Sequence, residues 1–158
     1  MDLGLKGKVM MVSGASKGLG FAVARMLALE GAQVSISSSN KAQIEQAKKK
    51  IVEETKGKVL SFTADVRSGE AIERWRDATL GEFGGIDGLF SNSGGPSAGE
   101  FMALGDPKWQ EGFELLVLSA IRMARAVIPS MKTRGGGSIV FSTSSSVKEP
   151  IPNLTLSN

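Results

Sequence analysis

The chain contains no cysteine, no histidine and no tyrosine. Without cysteine there is no disulfide and no thiolate chemistry. Without histidine the commonest general base and the commonest metal ligand are both missing, and no metal site is expected. No apolar run approaches the ~20 residues that a membrane span requires, so no membrane partner is expected. Met1, Asp2, Leu3 and Gly4 place no basic start before an apolar core, so the first residues do not read as a signal peptide. These absences together fit a cytoplasmic location. The net charge of +3 and pI of about 9.3 give only a mild basic excess. Its one dense run, Lys48, Lys49 and Lys50, falls on the solvated face of a predicted helix, and the other basic residues are scattered among acids. Nucleic acid is therefore not an expected partner.

What is present suits one globular domain. At 158 residues with 41% hydrophobic and 22% charged residues, the chain can bury a real core. No internal repeat or linker interrupts residues 1–158. Short apolar runs at residues 9–12, 34–36, 58–62, 86–91 and 138–141 read as strands. Between them lie helical patterns. Asn40 caps a helix carrying Ile44, Ala47, Ile51 and Thr55 on one side. Ser68 caps another, with Ala71, Ile72, Trp75 and Thr79 inward. Asp106 and Pro107 open a long helix over residues 107–134, whose broad apolar face is predicted to comprise Phe113, Leu116, Val117, Ala120, Ile121, Ala124, Val127 and Ile128. Residues 92–99 form a polar glycine-rich loop, and residues 150–158 show no clear periodicity. Strand and helix alternate throughout. That pattern predicts an α/β fold, a doubly wound, Rossmann-like parallel sheet with helices on both faces and a ligand crevice at the carboxyl ends of the strands.

The first strand runs into a glycine turn and then an apolar helix. Gly14 lets the chain turn tightly, Gly18 removes a Cβ from the path of a pyrophosphate, and Gly20 lets helix and strand approach. The N–H groups of the first helical turn favour an anion. The layout is that of a phosphate cradle. With 20 glycines in the chain such a spacing is weak alone, and its place between strand and helix strengthens it.

Several segments in order resemble the short-chain dehydrogenase/reductase family. Ser13, Gly14, Ser16, Lys17, Gly18, Leu19 and Gly20 lie in S-G-A-S-K-G-L-G, which is similar to the family's T-G-x-x-x-G-x-G. Asp65 and Val66 resemble its adenine-contacting pair after the third strand. Asn92, Ser93 and Gly94, within S-N-S-G-G, resemble its N-N-A-G segment. Trp109, Pro129 and the residues from Gly137 to Val140 match its long helix and fifth strand. The resemblance implies a nicotinamide dinucleotide cofactor. At the end of the second strand an acidic residue would accept from the 2′-hydroxyl of NAD. Ser37, Ser38 and Ser39 stand there instead, and Lys17 and Lys41 are near in sequence. Hydroxyls and lysines without a repelling carboxylate favour NADP over NAD.

The family's catalytic set is Asn, Ser, Tyr and Lys, in which the tyrosine phenol hands a proton to the substrate oxygen. By register the serine falls on Ser144 and would hold the substrate carbonyl. The asparagine falls on Leu116, which cannot hydrogen-bond. The tyrosine position falls on Ser157, or on Asn158 if the register slips by one; serine is a far weaker acid than a phenol, and the lysine would lie beyond Asn158. Family members continue well past this point, so residues 1–158 read as the N-terminal part of a longer chain. Two readings stand. One is an NADP-dependent oxidoreductase on a small carbonyl or alcohol substrate, with water, a cofactor hydroxyl or a later residue as proton donor. The other is an inactive nucleotide-binding or scaffold protein that kept the fold. A ligand-free structural protein would have no evident use for the glycine turn. Phe101, Met102 and residues 94–99 are expected to border the substrate site. The apolar long helix predicts a homo-oligomer.

Overall fold

A computed structural model describes residues 2–158. Five strands form one parallel sheet in the order β3-β2-β1-β4-β5: β1 Val9–Val12, β2 Gln33–Ser38, β3 Val59–Thr63, β4 Gly88–Ser91 and β5 Ser138–Phe141. The chain begins at the centre, moves outward through β2 and β3, then returns to the other side of β1. Val12 is the residue in register with both Ile36 and Phe90. The doubly wound fold expected from the alternation is what forms.

Each face of the sheet has its own core. Helices α1 (Gly18–Leu29) and α2 (Lys41–Thr55) cover one face, where Val12, Val34 and Ile36 pack with Ala24, Ala28, Ile44 and Ile51. Helix α3 (Gly69–Phe83) covers the other, with Met11 and Leu89 against Ile72 and Trp75. Met11 and Val12 point to opposite faces because side chains alternate along a strand. On the α3 face β2 contributes a polar residue, Ser35. It accepts from Trp75 Nε1 at 2.8 Å and lies 2.7 Å from the Thr79 hydroxyl, which itself donates to the Trp75 carbonyl at 2.9 Å. The trio is buried and satisfied, as an interior polar group must be.

Local signals set the helix ends. Asn40 Oδ1 accepts from Gln43 N–H at 3.0 Å, and Ser68 Oγ from Ala71 N–H at 3.2 Å, so both predicted caps form. Gly84 ends α3 at φ 75°, and its N–H donates to the Leu80 carbonyl.

The long helix differs from expectation. It consists of α4 (Asp106–Phe113), a π-helical stretch Glu114–Leu118 and α5 (Ser119–Thr133). The inward residues are Gly112, Ser119, Met123, Ala126, Val127 and Met131. Of the face predicted to be apolar and buried, Val127 is inside, but Phe113 (53% exposed), Val117, Ile121 (43%) and Ile128 look outward. The offset is already present before the π stretch, where Gly112 is buried and Phe113 exposed, so the inward stripe follows what packs against the sheet and α3 rather than the most apolar residues. No helix among the described residues is long and apolar enough to cross a membrane.

Candidate functional site

The crevice opens where the strand order reverses, between β1 and its neighbours β2 and β4. There the chain leaves β1 through Gly14 and Gly18, both at φ 60°. A Cβ on Gly14 would stand 2.7 Å from Asn92 Nδ2, and one on Gly20 would stand 2.4 Å from the Gly14 carbonyl oxygen. These two glycines allow the turn to close onto its neighbours. Gly18 is different: no atom lies within 4 Å of where its Cβ would be. It faces open space, where a ligand can approach the backbone.

Ser13 is wholly buried. Its hydroxyl donates to the Asn92 carbonyl at 2.7 Å and accepts from the Asn92 N–H at 2.9 Å, while Asn92 Nδ2 donates to the Gly14 carbonyl at 3.3 Å. These bonds lock the glycine turn to the loop after β4. Ser13 and Gly20 therefore build the crevice without lining it.

The cleft itself has a volume of about 570 Å³. Gly14, Ser16, Lys17, Gly18 and Leu19 form one wall, and Ser38 and Ser39 close the end of β2. Asp65 and Val66 follow β3, and Asn92, Ser93 and Gly94 follow β4. Of the residues expected to meet the cofactor, Ser13, Gly20, the buried Ser37 and Lys41 are not on this lining, and the others are.

Four lining residues were not expected: Gln43, Ala64, Arg67 and Leu115. Arg67 grips Asp65, its Nη2 donating at 2.7 Å and its own N–H at 3.0 Å, and its Nη1 reaches Glu111 at 3.4 Å. The hydrogen bond from Arg67 holds the Asp65 carboxyl below its ordinary range, against the opposing effect of partial burial. Asp65 is thus an anion already paired. Gln43 and Leu115 carry no motif. Only their helical positions, one turn into α2 and within the π stretch, bring them to the cleft.

The N-terminus of α1 differs from those of α2 and α3. Its capping position, Lys17, is extended and makes no side-chain cap bond, whereas Asn40 and Ser68 cap the other two. The first N–H groups of α1 thus have no side-chain acceptor of their own, beside a glycine with open space before it. This pairing fits an anionic pyrophosphate. No carboxylate lines the end of β2, where Ser38 and Ser39 offer hydroxyls to a ribose or its phosphate.

The catalytic candidates lie on the segment after β5. That segment is tied to β4 by the Ser142 N–H, which donates to the Ser91 carbonyl at 2.9 Å. Ser144 caps the one-turn helix Ser145–Val147, its Oγ accepting from the Ser146 N–H at 3.1 Å. Ser157 is brought back to this turn, its carbonyl accepting from the Ser146 hydroxyl at 3.2 Å. Neither Ser144 nor Ser157 lines the 570 Å³ cleft. The final residues fold onto the loop that follows β4. The Gly99 N–H donates to the Asn153 carbonyl at 2.7 Å, and Thr155 Oγ1 donates to the Gly99 carbonyl at 2.8 Å. Leu116 sits in the π stretch. Phe101 stacks edge-on against Trp109 at 5.8 Å, Met102 is 91% exposed, and neither is among the residues lining the 570 Å³ cleft.

This arrangement has close counterparts. A family model described as short chain dehydrogenase matches residues 8–156. The chain is 36% identical over 155 residues to "Dehydrogenase/reductase SDR family member 4" of Homo sapiens, covering 96% of this chain and 54% of that protein. Among solved structures, L-sorbose reductase from Gluconobacter frateurii complexed with NADPH and L-sorbose superposes with a TM-score of 0.96 at 34% identity, over 100% of this chain and 60% of that one. NAD+-bound xylitol dehydrogenase superposes with a TM-score of 0.90 at 29% identity, over 96% of this chain and 58% of that one. The chain thus spans little more than half the length of these relatives. With its parallel sheet, glycine turn and β4 loop in the matching order, the chain belongs to the short-chain dehydrogenase family.

Proposed function

We propose that this chain binds NADP and works as an oxidoreductase on a small carbonyl or alcohol substrate. When bound, the nicotinamide supplies or accepts the hydride. The observation that carries the reading is the uncapped start of α1 meeting Gly18, Ser38 and Ser39 in one cleft. Backbone N–H groups at Gly18 and Leu19 would hold the pyrophosphate. Ser38, Ser39 and Gln43 would hold the adenosine ribose, with Lys17 drawing a 2′-phosphate. Arg67 adds a second cation to the lining, and its pairing with Asp65 leaves no free carboxylate to repel that phosphate. Among the relatives both NADPH and NAD+ complexes occur, so the preference rests on these side chains.

Ser144 would polarise the substrate carbonyl. Its Oγ already accepts one hydrogen bond, from Ser146, and so has its proton free to donate. Ser157 stands where the family resemblance puts a phenol, and as a weaker acid it leaves proton delivery the slower part of the reaction. The outward stripe of Phe113, Val117, Ile121 and Ile128 would join a second copy of the chain.

Fluorescence titration with NADPH and NADH tests the cofactor, and oxidation of NADPH against a carbonyl panel tests the activity. Tighter NADH binding would overturn the NADP preference. Binding without turnover on any carbonyl would overturn the oxidoreductase reading.

A further inference from the structure

Ser146 lies at neither position where the resemblance puts a catalytic group, yet it touches both. It is 1% exposed, in the middle of the one-turn helix Ser145–Val147. Its backbone N–H donates to Ser144 Oγ at 3.1 Å, and its hydroxyl donates to the Ser157 carbonyl at 3.2 Å, 11 residues further on. The rest of the Ser157 segment is held by its own bonds. The Ser157 and Asn158 N–H groups donate to the Leu154 carbonyl at 2.8 and 3.1 Å. Asn158 Nδ2 donates to the Ile151 carbonyl at 3.1 Å, and the Ile151 N–H donates to Asn158 Oδ1 at 3.3 Å. These bonds close residues 151–158 into one small unit. Of the hydrogen bonds joining that unit to the turn after β5, the Ser146 hydroxyl makes the one that reaches Ser157.

We propose that Ser146 is a positioning residue that sets Ser157 in register with Ser144. The inference rests on the oxidoreductase reading above. Its backbone bond occupies an acceptor site on Ser144 and leaves that hydroxyl's proton to donate elsewhere. Its side-chain bond fixes the Ser157 backbone relative to the same turn. Both bonds start from one buried residue, so the spacing between the two hydroxyl-bearing positions depends on a single side chain. An alanine there would keep the N–H to Ser144 and lose the tie to Ser157. Displacements of about 1 Å at such a site cost on the order of a hundredfold in rate.

The test compares the full chain with Ser146→Ala. Three readouts are needed: NADPH affinity by fluorescence, steady-state kcat and KM on a reducible carbonyl, and amide hydrogen exchange over residues 151–158. The expected result is a 10- to 100-fold fall in kcat, with NADPH affinity and carbonyl KM within about twofold of the parent and faster exchange at Ser157. A general structural defect would weaken NADPH binding as well, and that outcome overturns the inference. A folded Ser146→Ala with parental kcat also overturns it. Should Ser146→Ala fail to fold, Ser146→Cys, of similar volume and weaker donor strength, is judged by the same criteria. A parent chain that binds NADPH and reduces no carbonyl overturns the oxidoreductase reading itself, whereas a parent that turns over beside an equally active Ser146→Ala overturns only the role of Ser146.

Discussion

The Ser13 hydroxyl and the Asn92 backbone bond each other twice, Oγ donating to the carbonyl at 2.7 Å and accepting from the N–H at 2.9 Å. One side chain thereby satisfies both backbone polar groups of a residue in the loop after β4. It holds the glycine turn against the loop that forms the opposite wall of the cleft. Ser13→Ala would leave both Asn92 groups short of a partner. The expected loss is ~1–3 kcal/mol, read by chemical denaturation, together with weaker NADPH binding. A variant with parental stability would show that the turn is held by other contacts.

Gly18 and Gly20 should respond to alanine in opposite ways. At Gly18, with φ 60° and open space ahead, the methyl would sit where a ligand approaches. Gly18→Ala is expected to lose at least about tenfold in NADPH affinity for a stability cost of ~1 kcal/mol. At Gly20 the methyl would meet the Gly14 carbonyl at 2.4 Å, so Gly20→Ala should lose several kcal/mol, about 2–3, in stability first. Fluorescence titration and thermal denaturation of both variants separate the two cases.

Ser35 is the acceptor for Trp75 Nε1 inside the sheet. Ser35→Ala should cost ~1–3 kcal/mol because the indole N–H is left buried without a partner. Denaturant midpoints with near-ultraviolet dichroism of Trp75 as the probe report this directly. An unchanged midpoint would mean that Thr79 takes over the bond.

Asp87 ties the start of β1 to the end of α5. Burial raises its pKa. The two bonds from Arg134, at 2.8 and 3.0 Å, the Val9 N–H at 2.8 Å and the nearby Arg134 and Lys8 charges outweigh burial, and the carboxyl sits below its ordinary 3.8. A depressed folded-state pKa means the unfolded chain takes up the proton first. Its stabilisation is therefore complete well above pH 4, roughly, and is lost as pH falls through the folded-state value. Asp87→Asn should be less stable than the parent near neutral pH, and the gap should narrow as the pH falls below the ordinary carboxylate value of 3.8. A gap independent of pH would exclude this carboxylate as the source.

The exposed stripe on the long helix gives a prediction about assembly. Ile121 is 43% exposed, so Ile121→Glu should leave the fold of one copy intact. Light scattering after size-exclusion should then show a smaller particle than the parent. A parent that is already monomeric would remove the proposed self-association.

Much of this was legible along the chain, because the relevant physics is local. Apolar runs bounded by glycine made strands. Asn40 and Ser68 capped the helices they precede, since a capping bond spans only three residues. The order of strand, glycine turn and helix determined the doubly wound sheet and most of the cleft lining, from Gly14 to Gly94. The tertiary structure alone decided the rest. The inward face of the long helix runs through Gly112, Ser119 and Met123 instead of the most apolar residues, a choice made by what packs against it. Arg67 entered the cleft through Asp65 and through Glu111, 44 residues away. Ser146 met Ser157 only because the last residues fold back on Gly99. Such contacts join segments distant in sequence, and their partners carry no pattern until the sheet has brought their strands together.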